Sequence, residues 1–159
     1  MKKLLLILTL FAPLLSGCHS APPPATFLIR INGHSFHVEL ANTPQLLKQG
    51  LTGRQHLQPD HGMLFVFPSP TEATMWMKGC TIPLDVLFFD SNKRLINSHT
   101  MAIPSPNQPD HTLPTYSSDK PASYALELPA GTTSRLRIRP ASTITFSPEL
   151  LKALGKGTE

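Results

Sequence analysis

Asn32-Gly33 lies in the middle of the stretch "FLIRINGHSFHVEL", between two runs in which apolar and polar residues alternate. A two-residue type I′ turn needs positive φ at both central positions, and Asn-Gly is the pair that meets this at least cost. The turn fixes the register. Ile31 pairs with His34, Ile29 with Phe36 and Phe27 with Val38, so the apolar side chains fall on one face, with Arg30 and Ser35 on the other. A one-residue slip would turn every apolar residue to water, so turn and pattern specify one hairpin.

The remaining punctuation extends this reading. "NTPQLLKQG" carries Thr43 as N-cap, Pro44 at the first helical position and Gly50 past the end, which predicts a short helix. Ser147, Pro148 and Gly155 bracket a second one over "ELLKAL". Between them, strands are expected at Met63 to Phe67, Ala73 to Lys78, Leu84 to Phe89, Arg94 to Met101, Tyr124 to Leu128, Ser134 to Arg139 and Ser142 to Phe146. Pro68-Ser69-Pro70, Asp90-Ser91-Asn92 and Pro129-Ala130-Gly131 read as the turns separating them. Residues 102–123 carry five prolines and little apolar patterning, and are expected to form a long loop. This cadence predicts a mainly β domain: a single compact antiparallel β-sandwich or barrel, jelly-roll-like, with one or two short helices. No internal repeat or low-complexity tract interrupts it.

The N-terminus has a different character. Lys2 and Lys3 precede a short apolar run, Leu4 to Leu15, which is too short to span a hydrocarbon core of ~30 Å and reads as a signal sequence. It ends Leu15-Ser16-Gly17-Cys18. This resembles a bacterial lipobox, in which the Cys18 thiol takes a diacylglycerol and becomes the first residue after cleavage. Residues 1–17 are then signal peptide, 18–26 a lipidated cysteine with a stiff tether at Pro22-Pro23-Pro24, and 27–155 one domain. Cys18 is followed by His19 rather than Asp, which favours the periplasmic face of the outer membrane over the inner membrane. Loss of Lys2 and Lys3 lowers the formal charge from +4 to +2, and no Lys/Arg cluster pointing to nucleic acid remains. Cys80 is then the one unmodified thiol, so a disulfide scaffold is excluded.

Three ordered stretches, "GLTGRQHLQPDHGMLFVF", "MWMKGCTIPLDVLFFD" and "YALELPAG", closely resemble the family called domain of unknown function 192. The resemblance covers about residues 27–146. It implies a compact, mainly β fold, often exported, and no established activity. Two departures are specific to this chain. Lys78-Gly79-Cys80 stands where many members have Lys-Asn-Thr, and "PSPNQPDHTLPTY" lacks the cysteine pair that many exported members carry.

The motif residues also define candidate chemistry. In an extended "TMWMK", Trp76 and Lys78 share one face and Met75 and Met77 the other. Trp76 beside Lys78 forms an amphipathic platform for a sugar, an acyl chain with an anionic head, or a peptide carboxylate; the alternative is a core or rim tryptophan beside a solvated lysine. Asp85 and Glu127 sit among apolar neighbours and need partners, for which Arg54 and Lys78 are the nearest candidates. These charges form either an internal ion-pair network or the polar part of a ligand site. In the second case the site lies where the Trp76–Lys78 strand approaches Asp85, with Arg54 and the proline-rich loop at its rim. Gly50, Gly53 and Gly62 are expected to serve backbone geometry rather than phosphate binding.

Three function classes are compatible with these residues. The first is a non-catalytic, lipid-anchored binding or assembly module of the envelope, with an envelope protein or a small polar ligand as partner and no cofactor. The second is a thiol enzyme pairing Cys80 with one of His34, His37, His56, His61, His99 or His111. The third is periplasmic copper(I) binding through Met75, Met77, Cys80 and Met101 with several histidines; the soft donors suit that ion, but no ligand spacing occurs on one element. The first is preferred, because it needs only the fold, the tether and an exposed groove.

Overall fold

The computed structural model describes residues 24–155. The signal sequence, the lipobox with Cys18 and the Pro22-Pro23 part of the tether lie outside the described residues.

The first hairpin forms as its turn dictates. β1 (Phe27–Ile31) and β2 (His34–Ala41) pair antiparallel with Ile31 opposite His34, Ile29 opposite Phe36 and Phe27 opposite Val38. Asn32 and Gly33 take φ of 50° and 81°, the two positive values of the type I′ turn. Ile29, Ile31, Phe36 and Val38 are buried together. α1 (Pro44–Gln49) follows, with Thr43 Oγ1 accepting the Leu46 N–H and Gly50 closing the end. It lies within the crossover to β3 (His61–Trp76), because β2 and β3 pair in parallel and a parallel pair cannot be joined by a tight turn.

β3 and β6 (Thr115–Pro129) are long strands paired antiparallel from Met63–Glu127 to Trp76–Thr115. Pro68-Ser69-Pro70 does not separate two strands. It sits inside β3, at a register shift between Val66 and Thr71, where prolines without N–H donors are tolerated. β6 likewise begins earlier than its proline content implies, so the irregular stretch shortens from 102–123 to 102–114, with a 3₁₀ turn at Asp110–Thr112. β4 (Leu84–Phe89) packs between β6 and β5 (Leu95–Met101). The chain closes with α2 (Thr132–Arg135), β7 (Ile144–Phe146) and α3 (Pro148–Ala153), the last capped by Ser147 Oγ on the Leu150 N–H.

The Ser134 to Arg139 strand is not formed. Its alternating "SRLRIR" has the right period, but Gly131 adopts a left-handed φ of 83° and starts a helical turn. Buried Asp85 then accepts the Thr133 N–H and holds that turn in place. Arg137, at φ 52°, completes the departure from extended backbone. Tertiary contact overrides local pattern here.

The seven strands make one curled sheet in the order β5-β4-β6-β3-β2-β1-β7, a mainly β half-barrel with three short α-helices among the described residues. The two edge strands approach each other at one corner, where Arg94 bridges Thr143 and the Leu95 N–H donates to the Ser142 carbonyl at 2.9 Å. One core lies on one face of the sheet, from Ile29, Leu64, Leu87, Phe89 and Leu126. A second lies on the other face, from Phe65, Met77, Val86, Phe88 and Met101, under α1 and the irregular segments. β4 is buried on both faces, which explains its nearly unbroken apolar run "LDVLFF".

Candidate binding site

β3 ends at Trp76, and the chain turns immediately through Lys78 and Gly79. Gly79 adopts φ of 66°, and a Cβ there would stand 2.9 Å from Thr52 Cγ2. The turn is latched to the loop after α1: the Gly53 N–H donates to the Gly79 carbonyl at 2.9 Å, and Thr52 Oγ1 donates to the Lys78 carbonyl at 3.1 Å. Met77 points into the second core, whereas Trp76 remains 45% exposed. Lys78 Nζ lies 5.5 Å from the centroid of the Trp76 ring and forms an ion pair with Asp110, on the 3₁₀ turn of the proline-rich loop. The two side chains therefore share one surface, and the loop reaches it.

Next to this rim is a cavity of about 100 Å³, lined by Leu51, Phe65 and Met75 together with polar side chains, Lys48 and Lys78 among them, and reaching Cys80 and Glu127. Trp76 and Lys78 also border a wider open groove of about 560 Å³, whose opposite side is formed by Gln45, Lys48 and Gln49 of α1. The register explains how Glu127 reaches the cavity. Glu39, Met63, Glu127 and Val86 are successive partners across β2, β3, β6 and β4, so their side chains share the face of the second core. Gly62 makes room for this arrangement: a Cβ there would stand 2.3 Å from the Glu127 carbonyl oxygen.

Glu127 is 3% exposed, and its Oε2 has no hydrogen-bond partner among the described residues. Burial disfavours its charged form and pushes the pKa up to about 8, so the group is protonated at neutral pH. Cys80 is half-buried, and burial followed by the nearby Glu127 pushes its thiol up to about 11. A thiol in that state is not the thiolate that nucleophilic catalysis needs.

The other two charges expected at the site lie elsewhere. Arg54 makes a bidentate pair with Glu39, at 2.6 and 2.8 Å. Asp85 points to the opposite face from Glu127 and is held by two donors, Thr100 Oγ1 and the Thr133 N–H, each at 2.8 Å. Neither lines the cavity or the groove. The structure thus brings Trp76, Lys78, Glu127 and the proline-rich loop together, and separates Asp85 and Arg54 from them. Sequence reasoning did not identify Lys48, Leu51 or Asp110 as part of this surface. Lys48 had one available signal, its position in the last turn of α1, two residues before Gly50. Of the sulfur donors weighed for copper(I), Met77 and Met101 are buried in the second core. No cluster of three or more His, Cys, Asp or Glu side chains able to hold a metal occurs among the described residues.

Comparison with known proteins places this geometry in context. The model of the DUF192 family, described as an uncharacterized ACR, matches residues 27–146. A crystal structure from Sinorhizobium meliloti 1021, described as a "putative transcription regulator", is similar with a TM-score of 0.69 and 35% identity, covering 80% of this chain and 98% of that one. A protein of unknown function from Novosphingobium aromaticivorans DSM 12444 is similar with a TM-score of 0.66 and 27% identity, covering 80% and 94%. No curated protein matches the chain.

Proposed function

The chain belongs to the DUF192 family, whose description assigns no activity, and we propose that this member is a lipid-anchored, non-catalytic binding module of the bacterial envelope. The observation that carries the binding reading is Glu127, whose Oε2 is buried without a partner and which lines a cavity shared with Trp76 and Lys78. An unsatisfied buried polar atom costs about 1–3 kcal/mol, and a ligand that bonds it recovers that cost. Trp76 adds a large apolar surface whose ordering costs little entropy. The protonated state of Cys80 favours binding over thiol catalysis at the same place.

Anchoring rests on the "LSGC" motif at Cys18. Cys18→Ala is expected to release the protein from the membrane fraction and to abolish lipid labelling; a variant still membrane-bound in high salt contradicts the anchor. Binding is tested by titrating a library of small polar fragments into the full-length chain in detergent. Trp76 is the chain's one tryptophan, so its fluorescence reports on the site directly. Fragments that shift Trp76 emission and lose at least tenfold in affinity in Glu127→Leu support the module. A folded protein at which no fragment perturbs Trp76 overturns it.

A further inference from the structure

The floor and the rim of this site place different demands on a ligand. At the floor, a protonated Glu127 offers an O–H donor and a carbonyl acceptor in one plane, and the cavity walls contribute apolar side chains alongside those of Lys48 and Lys78. The space, about 100 Å³, admits a group of only a few heavy atoms. At the rim, Lys48 and Lys78 flank the approach and Trp76 presents its ring. A cationic group would pass two ammonium groups before reaching an uncharged acid. An anionic group, although drawn by those ammoniums, has no donor for the acid's carbonyl and loses its hydration beside the apolar part of the wall. A neutral group with an N–H and a C=O matches both atoms of the acid and incurs neither cost.

We infer that the site takes an N-acylated amino sugar carrying a carboxylate: its acylamino group at Glu127, its ring on Trp76, and its carboxylate outside, at Lys48 and Lys78. This assignment rests on reading the pocket as a binding site. Sugar rings present C–H faces that pack on an indole, and the carboxylate meets the only part of the site that favours negative charge. Lys78 is already paired with Asp110, so the ligand's carboxylate competes with that side chain.

The other charged groups facing this region are accounted for. On the same face as Glu127, Glu39 is occupied by Arg54, and His99, beyond Val86 in the same row, bonds the Ser117 carbonyl. Asp85 lies on the opposite face. The Cys80 thiol, at about 11, stays protonated through the pH range used below.

The test titrates N-acetylmuramic acid, muramic acid, N-acetylglucosamine and glucosamine into the full-length chain in detergent, followed by Trp76 fluorescence. N-acetylmuramic acid is expected to bind tightest, about tenfold better than muramic acid and severalfold better than N-acetylglucosamine. Its affinity is expected to fall at least fivefold from pH 6.5 to 9.5, and to stay flat in Glu127→Gln. Asp110→Asn is expected to strengthen N-acetylmuramic acid severalfold and leave N-acetylglucosamine unchanged. Preference for the free amines, or affinity that rises with pH, overturns the ligand class and leaves the pocket as a binding site. Failure of all four sugars also overturns the class, and the fragment titration shows separately whether the pocket binds anything.

Discussion

Asp85 on β4 and Glu127 on β6 are one register position apart, face opposite sides of the sheet, and are 1% and 3% exposed. Both stand in apolar runs, and the sequence gives them the same need for partners. Their surroundings answer it differently. Asp85 has a donor for each oxygen, Thr100 from the neighbouring strand and the Thr133 N–H from α2, so its burial joins two parts of the fold. Glu127 has an unpartnered oxygen at the edge of a cavity and keeps its proton instead. A buried carboxyl with its bonds made holds structure, whereas one with a bond left open beside a cavity marks a place for something else.

Substitutions separate these roles, and the largest effect is expected at Asp85. Asp85→Ala removes both acceptors, leaves the Thr133 N–H and Thr100 hydroxyl without partners, and is expected to cost about 3 kcal/mol in urea unfolding. A loss below about 1 kcal/mol would remove the contrast.

Glu127→Leu is expected to act in the opposite direction, stabilising the fold by about 1–3 kcal/mol while abolishing binding. Its pH dependence has a definite sign. The folded pKa is raised from 4.5 to about 8, so between these values the folded chain holds a proton that the unfolded chain has released. This contribution therefore makes stability fall as pH rises from about 5 to about 8, by on the order of a few kcal/mol, and level off above. Unfolding at pH 5, 7 and 9 in parallel with Glu127→Gln checks this, because the slope should shrink in the variant.

Smaller effects sharpen the comparison. Arg54→Ala breaks a partly exposed pair with Glu39 and is expected to cost about 1 kcal/mol, with binding intact, by thermal denaturation and Trp76 titration. Cys80→Thr, which restores the residue of many relatives, is expected to stay within about 0.5 kcal/mol and to leave binding unchanged. A large loss of function in a folded Cys80→Thr would return attention to the thiol.

How far the sequence could be read follows from where each feature's cause resides. The hairpin at Asn32-Gly33 and the helix ends at Thr43 and Ser147 are set by neighbouring residues, and they form in the expected register and with the expected caps. Trp76 and Lys78 share a surface as expected, but the strand ends at Trp76, and it is the turn at Lys78-Gly79, latched to Thr52 and Gly53, that places Lys78 there. Arg54 could not be placed in this way, because its partner, Glu39, is supplied by a parallel pairing across a crossover that local pattern does not reveal. The same holds for "SRLRIR", whose strand-like period yields to a contact from Asp85, 48 residues away from Thr133. Glu127 was recognisable as a buried carboxyl, but its lack of a partner is a property of the assembled sheet.

The central claim is that Glu127 is uncharged at neutral pH and waits for a neutral hydrogen-bonding group. The most direct measurement is a carbon-13 NMR titration of the glutamate carboxyls in the full-length chain, with Glu127→Gln assigning the resonance. A midpoint near 8 that moves upward when N-acetylmuramic acid is added is the expected result. A midpoint near 4.5, indifferent to that sugar, would mean that Glu127 is an ordinary ionised carboxylate and would contradict the account.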